Sequence, residues 1–535
     1  MNAVIPGPAR RTPGTGEDLS VKGPWRIHAT DARFSAVADT VRALLEPHLG
    51  DRLLPPDAFD SAASALTLTP DHTPEARRRR PSVGVSPAGL TEPADESYRL
   101  TVAEYGITCR AATPEGVFRA AVTALQMLTT SVATIPCQEL SDAPRFAWRG
   151  LMLDPARGWL TAEEVRRLVD LAALYKLNVL HLHLTDNEGW RLQLPGFPEL
   201  TAPRSADTPR EHYTTEEYRA LQQYAAERFI TLVPEIDLPG HCAALREAMP
   251  QLPAAPAPQG LADRYPFVPP LDLTDPRTRE TVAAVLDDVC RLTDGPFVHI
   301  GGDEAIGMTA DSFVVAVREL RSLVRTSGKR PLAWQESSRA GIAPDDIAQY
   351  WVDVPMMDLP DTEEELATRP DLLAAGHTLE FTKALKAFFA PTDHDLARVI
   401  EGGGRILLSP QSHLYLDRPY APDVVPGHQN ETVARLGFRA YRPRDVRHTA
   451  TWDPATHHIP DEHIAGVEAT LFGESIESFA DLTLLLLPRM ASVAHTAWSG
   501  NRPDWEDHRT RLAHHARLWE NLGLTYMASS EIPWA

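Results

Sequence analysis

Two carboxylates, Asp303 and Glu304, stand side by side directly after Gly301-Gly302, at the end of the apolar run Phe297-Val298-His299-Ile300. The run reads as a buried strand. The glycines leave bare backbone at its end, where another chain segment or a ligand can approach closely. Adjacent acids at such a point repel, which favours keeping one of them protonated near neutral pH. That arrangement suits proton donation to a leaving group. An Asp-Glu pair is also a common feature of exposed turns, so the rest of the chain has to decide between the two.

The elements around the pair point to a barrel. From Trp148 onward short apolar runs alternate with amphipathic helices. The runs are Gly150–Leu153, Val179–Leu184, Ile230–Pro234, Phe297–Ile300, Pro331–Trp334, Ile347–Tyr350, Ile406–Leu408 and Gly466–Leu471. Thr161-x-x-Glu164 and Thr214-x-x-Glu217 have the form of capping boxes, and Asp275-Pro276 pairs an N-cap with a proline at the first helical position. Eight strand–helix units predict a (β/α)8 TIM barrel over 145–535. The helix after Trp334 is short in the sequence, and 352–404 is longer than one connection needs, so an insertion is expected there.

Ahead of the barrel, 25–144 reads as a small α+β domain. Tyr98–Val102 and Ile107–Ala111 flank Glu104-Tyr105-Gly106 as in a hairpin, and Thr113-Pro114-Glu115 opens a helix. Residues 1–24 are rich in Pro and Gly and are expected to be mobile. Arg77–Arg80, set between prolines, reads as a solvated loop.

Catalytic groups of a barrel lie just past the C-terminal ends of its strands. Asp154 and Arg157 follow the first strand, His183, Asp186, Trp190 and Arg191 the second, and Glu235, Asp237 and His241 the third. Asp303 and Glu304 follow the fourth, Trp334 and Glu336 the fifth, and Trp351 the sixth. Tyr415 and Asp417 follow the seventh, and Phe472 and Glu474 the eighth. One such placement means little, because loops are polar anyway; eight in register carry weight. On periodicity alone Trp190 is as good a core residue as a sugar platform, and Asp154 as good a helix cap as a ligand.

Composition bounds the partners. Among 535 residues the formal net charge is −21, which argues against nucleic acid or an anionic membrane as the main partner. The four cysteines are far apart with no CxxC spacing, so a zinc knuckle is not expected. The start of the chain has no apolar segment, Arg10-Arg11 has no hydrophobic run behind it, and Leu482–Leu487 is too short to span a bilayer. The expectation is a cytoplasmic protein. Oligomeric state is not legible.

Carboxylates between aromatic planes, with no phosphate-binding glycine loop, suit a sugar: rings cover the apolar faces of a pyranose and acids accept from its hydroxyls. The motifs Arg149-Gly-Leu-Met-Leu-Asp-Pro-Ala-Arg157, His183-Leu-Thr-Asp-Asn-Glu-Gly-Trp-Arg191, Pro234-Glu-Ile-Asp-Leu-Pro-Gly-His241, His299-Ile-Gly-Gly-Asp-Glu304, Tyr415-Leu-Asp417 and Phe472-Gly-Glu474 resemble, in order, those of the β-N-acetylhexosaminidases of glycoside hydrolase family 20. Tyr98-Arg-Leu and Thr113-Pro-Glu-Gly116 resemble that family's usual N-terminal partner domain.

The resemblance implies an exo-acting, retaining enzyme for terminal β-linked N-acetylglucosamine, and N-acetylgalactosamine as a second substrate. It implies substrate-assisted catalysis through an oxazolinium-like intermediate, with no cofactor and no metal. By the same resemblance Glu304 is the general acid and base, Asp303 holds the acetamido N–H, and Tyr415 donates to the acetamido oxygen. Arg157, Asp417 and Glu474 bind sugar hydroxyls, and Trp334, Trp351 and Phe472 wall the pocket. Asp186 and His241 tune Glu304, with His183 and Glu235 in the same network, and Arg191 braces the rim. Phe472 stands where the family usually has tryptophan, which keeps a π-face but loses the indole N–H. Phe381, Phe388 and Phe389 in the insertion read as core.

Two other readings stay open on the residues alone. His181-x-His183 with His241, His299 and Asp303 could supply a metal-dependent amidohydrolase. A decayed barrel could bind sugar without turnover.

Overall fold

The computed structural model describes residues 3–534 apart from 57, 59, 74–81, 204–209, 257–259, 264–266, 354–358 and 375. The arginine run 77–80 therefore lies outside the described residues.

Eight parallel strands close into a barrel: Trp148–Leu153, Val179–His183, Thr231–Glu235, Phe297–His299, Arg330–Trp334, Ile347–Tyr350, Arg405–Leu408 and Ile464–Leu471. These are the eight apolar runs of the sequence, each end within two residues of its expected place. Closure is made by the eighth strand on the first, Gly466 opposite Trp148 through Leu471 opposite Leu153. The strands are buried almost throughout, as a parallel sheet covered by helices requires. Both expected capping boxes form, Thr161 with Glu164 and Thr214 with Glu217, and Asp275 accepts from the backbone N–H groups of Arg277 and Thr278. After the fifth strand a 3-10 turn, Gln335–Ala340, replaces a full helix. Between the sixth and seventh strands the chain inserts short helices, among them Leu379–Phe389 and Asp395–Glu401.

The N-terminal domain is a six-stranded mixed sheet with the helices Ser35–Leu49 and Pro114–Thr130. The expected hairpin forms as Tyr98–Ala103 against Gly106–Ala111. From residue 3 on, the opening segment, expected to be mobile from its composition, packs against the domain. Arg10–Pro13 pairs antiparallel with Gln138–Asp142 as an edge strand. Val4 and Ile5 are buried, and the Ile5 backbone exchanges two hydrogen bonds with the Gln126 side chain, at 2.8 and 2.6 Å. Pro and Gly content signals an irregular path, but here that path buries apolar side chains and satisfies its backbone, which fixes it. Among the described residues no helix is long and apolar enough to cross a membrane.

Buried charges join the domain to the base of the barrel. Glu96 of the domain takes Arg149 of the first strand (Nη1 at 2.9 Å) and Arg119 (Nε at 2.8 Å). Lys176 donates to Tyr98 Oη at 2.7 Å and Asp142 at 3.2 Å. Removing one partner of such a group leaves an uncompensated charge in a dry site. Glu96→Ala, which leaves Arg149 without a carboxylate and Arg119 with Glu115 at 3.3 Å, is expected to destabilise the fold by roughly 3–5 kcal/mol in a denaturant titration. An unchanged unfolding midpoint would show that this cluster contributes no stability.

Candidate active site

The fourth strand ends in a turn that only glycine can make. Gly301 has φ +66°, and a Cβ there would fall 1.8 Å from Asp237 Oδ1. The segment that comes close is thus the one after the third strand. Gly302 N–H donates to the same Asp237 oxygen at 3.1 Å. The turn projects Asp303 and Glu304 over the barrel mouth. Glu304 and His241 both carry positive φ, +42° and +45°, a strained backbone that clusters at working sites.

Behind the pair runs a column of alternating carboxylates and imidazoles along the barrel interior. His181 Nδ1 meets Glu468 at 2.9 Å and its Nε2 meets Glu235 at 3.2 Å. His183 bridges Glu235 and Asp186, each at 2.8 Å. His241 Nδ1 meets Asp186 at 3.1 Å, and its Nε2 faces Glu304 at 3.6 Å and Asp303 at 3.8 Å. Trp334 Nε1 donates to Glu235 at 2.8 Å, and Trp148 Nε1 and Gln349 Nε2 donate to Glu468, each at 3.0 Å. Burial opposes charge on the imidazoles, but the flanking carboxylates outweigh it. His181 is raised to about 9, and His183 and His241 stand well above the ordinary imidazole value. Burial likewise opposes ionisation of Asp186, yet His241 and Arg157 hold it well below the carboxylate range.

Asp303 goes the other way. Burial first, then the charge of Asp237, holds its carboxyl well above the ordinary value. Burial also raises Glu336 and Asp417, each to about 8. Asp417 Oδ1 and Glu336 Oε1 are buried with no hydrogen-bond partner among the described residues. Such an oxygen can accept from an incoming hydroxyl at little further desolvation cost.

A cavity of about 320 Å³ opens on these groups and is lined by Arg157, His241, Asp303, Glu304, Trp351, Tyr415, Phe472 and Glu474. Arg157 is held by Asp154 at 2.9 Å and Asp186 at 2.6 Å, so Asp154 positions this guanidinium rather than capping a helix. Trp351 stacks on Tyr415 at 6.2 Å, and Tyr415 packs on Phe472 at 5.2 Å. Trp334 and Asp417 lie one layer further back, almost fully buried, with Trp334 6.4 Å behind Phe472. His183, Glu235 and Asp186 are in the column and do not reach the cavity. Trp190 is buried, its indole N–H on the Leu192 carbonyl, and Arg191 braces the loop of the first strand through the Pro155 and Ala156 carbonyls, each at 2.8 Å.

The histidines that alone would suit a metal centre are all within this arrangement. Among the described residues four groups of three acidic or imidazole side chains have ligand atoms within 4.8 Å of one another, and each draws on the column, Asp237 or the Asp303-Glu304 pair. Within them Glu235 and Asp186 already receive imidazole or indole N–H groups. Three functional residues escaped the sequence reading. Glu336 and Asp237 were visible at strand ends but given no role. Glu336 accepts from Trp351 Nε1 at 3.1 Å, and Asp237 buttresses the glycine turn. Tyr441, in a long loop after the seventh strand, carried no signal and lines the cavity.

Because Glu336 binds its proton more tightly in the folded chain (to about 8) than an unfolded glutamate does (about 4.3), it lowers stability as pH climbs through that window. Glu336→Gln cannot ionise and keeps an acceptor for Trp351. Its melting temperature relative to wild type should therefore become more favourable from pH 5 to pH 8. A difference that stays flat across the window would refute the assignment.

Comparison with known proteins agrees with the geometry. The catalytic domain of glycosyl hydrolase family 20 matches residues 146–501, and domain 2 of the same family matches residues 1–143. A β-N-acetylhexosaminidase of Cellulomonas fimi is 33% identical over 454 residues, covering 82% of each chain. A β-hexosaminidase of Akkermansia muciniphila is 30% identical over 461 residues, 79% of this chain and 83% of that one. Among solved structures, a Streptomyces plicatus β-hexosaminidase variant in complex with the product GlcNAc superposes with TM-score 0.77 at 27% identity, over 100% of this chain and 98% of that one. The family models cover both domains, and this chain belongs to glycosyl hydrolase family 20.

Proposed function

We propose that the protein is a retaining exo-β-N-acetylhexosaminidase that releases terminal β-linked N-acetylglucosamine, with the galacto epimer as a second substrate, by substrate-assisted catalysis. The observation that carries the reading is the convergence of Asp303, Glu304, Tyr415 and His241 on one cavity walled by Trp351 and Phe472.

The substrate's acetamido oxygen attacks the anomeric carbon as the glycosidic bond breaks, and Glu304 passes its proton to the leaving oxygen. His241, kept as an imidazolium by Asp186, stabilises the Glu304 carboxylate as it forms. Water then opens the oxazolinium ion, giving its proton back to Glu304. Asp303 receives the acetamido N–H. Its carboxylate form is favoured by the positive charge that develops on the nitrogen. A carboxylate fixed beside a developing cation stabilises the transition state more than the ground state. Tyr415 donates to the acetamido oxygen, so the internal nucleophile is held in an attacking pose and the entropic barrier drops. Arg157 and Glu474, which line the cavity, take the ring hydroxyls.

The test is hydrolysis of an aryl β-N-acetylglucosaminide with and without a chelator. Glu304→Ala and Asp303→Ala should each lose roughly 10²–10⁴-fold in kcat, and Tyr415→Phe roughly 10²-fold. Wild-type rates should ignore the chelator. Chelator-sensitive turnover, or sugar binding with no turnover at all, would overturn the reading.

A further inference from the structure

The cavity does not end with the sugar-binding groups. It continues along a wall supplied by the insertion and by the loop after the seventh strand: Leu359, Phe381, Leu385, Phe389, Phe438 and Tyr441. We propose that this wall is a subsite for an apolar aglycone, so that the preferred substrates are β-N-acetylhexosaminides of lipophilic alcohols or phenols rather than of a second sugar. The proposal rests on the hexosaminidase reading above.

The helix Leu379–Phe389 is built for such a role. Phe381, Leu385, Phe388 and Phe389 recur at i, i+4, i+7 and i+8, which places them on one face. The opposite side carries the exposed Glu380 and Lys383, and Lys386 is paired with Asp361 at 2.7 Å. An apolar helix face normally packs on protein. Here Phe381 and Leu385 are only half-buried and look into the cavity that holds Glu304.

The wall also lies on the leaving-group side. Phe389 packs edge-on against Trp351 at 5.8 Å. Phe388, the next residue on the same face, lines a neighbouring hollow together with Glu304 and Glu336. The helix therefore reaches from Trp351 to the residue that protonates the departing oxygen. Arg157 and Glu474, which approach each other at 3.8 Å, line the same cavity.

The chemistry of the wall selects carbon. Its polar atoms belong to the Tyr441 hydroxyl, which is engaged with Gln411, and to His377, whose ring packs on Phe381 at 5.0 Å and whose buried Nδ1 is the one nitrogen there without a hydrogen-bond partner among the described residues. A sugar in this position would turn its hydroxyls towards phenyl and leucyl carbon and lose their water without replacement. An alkyl or aryl group would gain by the same burial. Phe438, 39% exposed at the mouth and packed on Tyr441 at 4.9 Å, extends the apolar surface outward.

Alkyl β-N-acetylglucosaminides from methyl to hexyl separate aglycone binding from chemistry, because their leaving alcohols differ little in acidity. In the wild-type chain kcat/KM should rise roughly two- to fourfold per methylene, and N,N'-diacetylchitobiose should fall below the hexyl glycoside. Phe381→Ser and Leu385→Asn, each checked for an unaltered melting transition, should flatten the slope. A flat wild-type series, or chitobiose exceeding the hexyl glycoside, would overturn the subsite while leaving the hexosaminidase reading intact. Failure to turn over any N-acetylglucosaminide, the aryl one included, would remove that reading and the subsite with it.

Discussion

Charge neutrality inside the barrel is the constraint on which the rest depends. A parallel barrel has a dry interior, where an isolated carboxylate or imidazolium costs several kcal/mol. This chain places Glu468, Glu235, Asp186 and Asp154 there or at its mouth, and answers them with His181, His183, His241 and Arg157. Four anions face four cations in strict contact. Each imidazole touches a carboxylate through both ring nitrogens, apart from His241, whose second nitrogen is left for the catalytic pair. The column thus ends in a proton donor aimed at Glu304, and its far end is anchored by Trp148 and Gln349 on Glu468. The pattern has a pH sense as well. The imidazoles hold their protons more tightly folded than unfolded, so their contribution is present below the ordinary imidazole value and fades only as pH rises through the raised values, about 9 for His181.

Three acids around the barrel mouth break that rule. Asp303, Glu336 and Asp417 are buried acids with no cation close enough to offset their burial, and all three are held above the ordinary carboxylate range. Two residues at the turn, His241 and Glu304, sit in left-handed backbone. Both features cost stability and both are localised where an N–H donor, a hydroxyl or a developing cation would relieve them. The structural ion pairs at Glu96 and Lys176 hold the domain in place and the column supplies charge balance, so the mouth of the barrel can carry the unpaired groups.

This division explains what could be read from the sequence. The strands were legible because each is a continuous apolar run bounded by turn signals, and the helices because Thr161, Thr214 and Asp275 cap them with their own side chains. The Asp303-Glu304 pair, Arg157, Tyr415 and Glu474 were legible because a barrel sends chemistry to the ends of its strands. Depth was not legible. Trp334 and Asp417 occupy strand-end positions like Trp351 and Tyr415 do, yet lie behind the cavity, because whether a rim side chain points in or down depends on the tilt of its strand and on what covers it. The raised carboxyl of Asp303 was equally out of reach, since it is set by burial and by Asp237 arriving from another loop. The anchoring of the first residues depends on Gln126, more than a hundred positions away, and no local pattern announces it.

Phe472 shows how such a barrel tolerates change at its wall. A phenyl ring covers less area than an indole and offers no N–H. In this chain Phe472 is held by Tyr415 on one side, by Trp334 behind, and by the Arg157 guanidinium 5.4 Å from its ring centre. Those contacts fix the ring's plane without an indole hydrogen bond, and the aromatic surface lost at this position is matched by Phe389 and Tyr441, which reach the cavity from elements outside the barrel core. The strands and the column set the reaction, and they leave little freedom, because each member neutralises or supports another. The insertion and the loop after the seventh strand carry few of those obligations. They are free to vary in carbon, length and aromatic content, and that is where a barrel with a fixed chemistry acquires a preference for one leaving group over another.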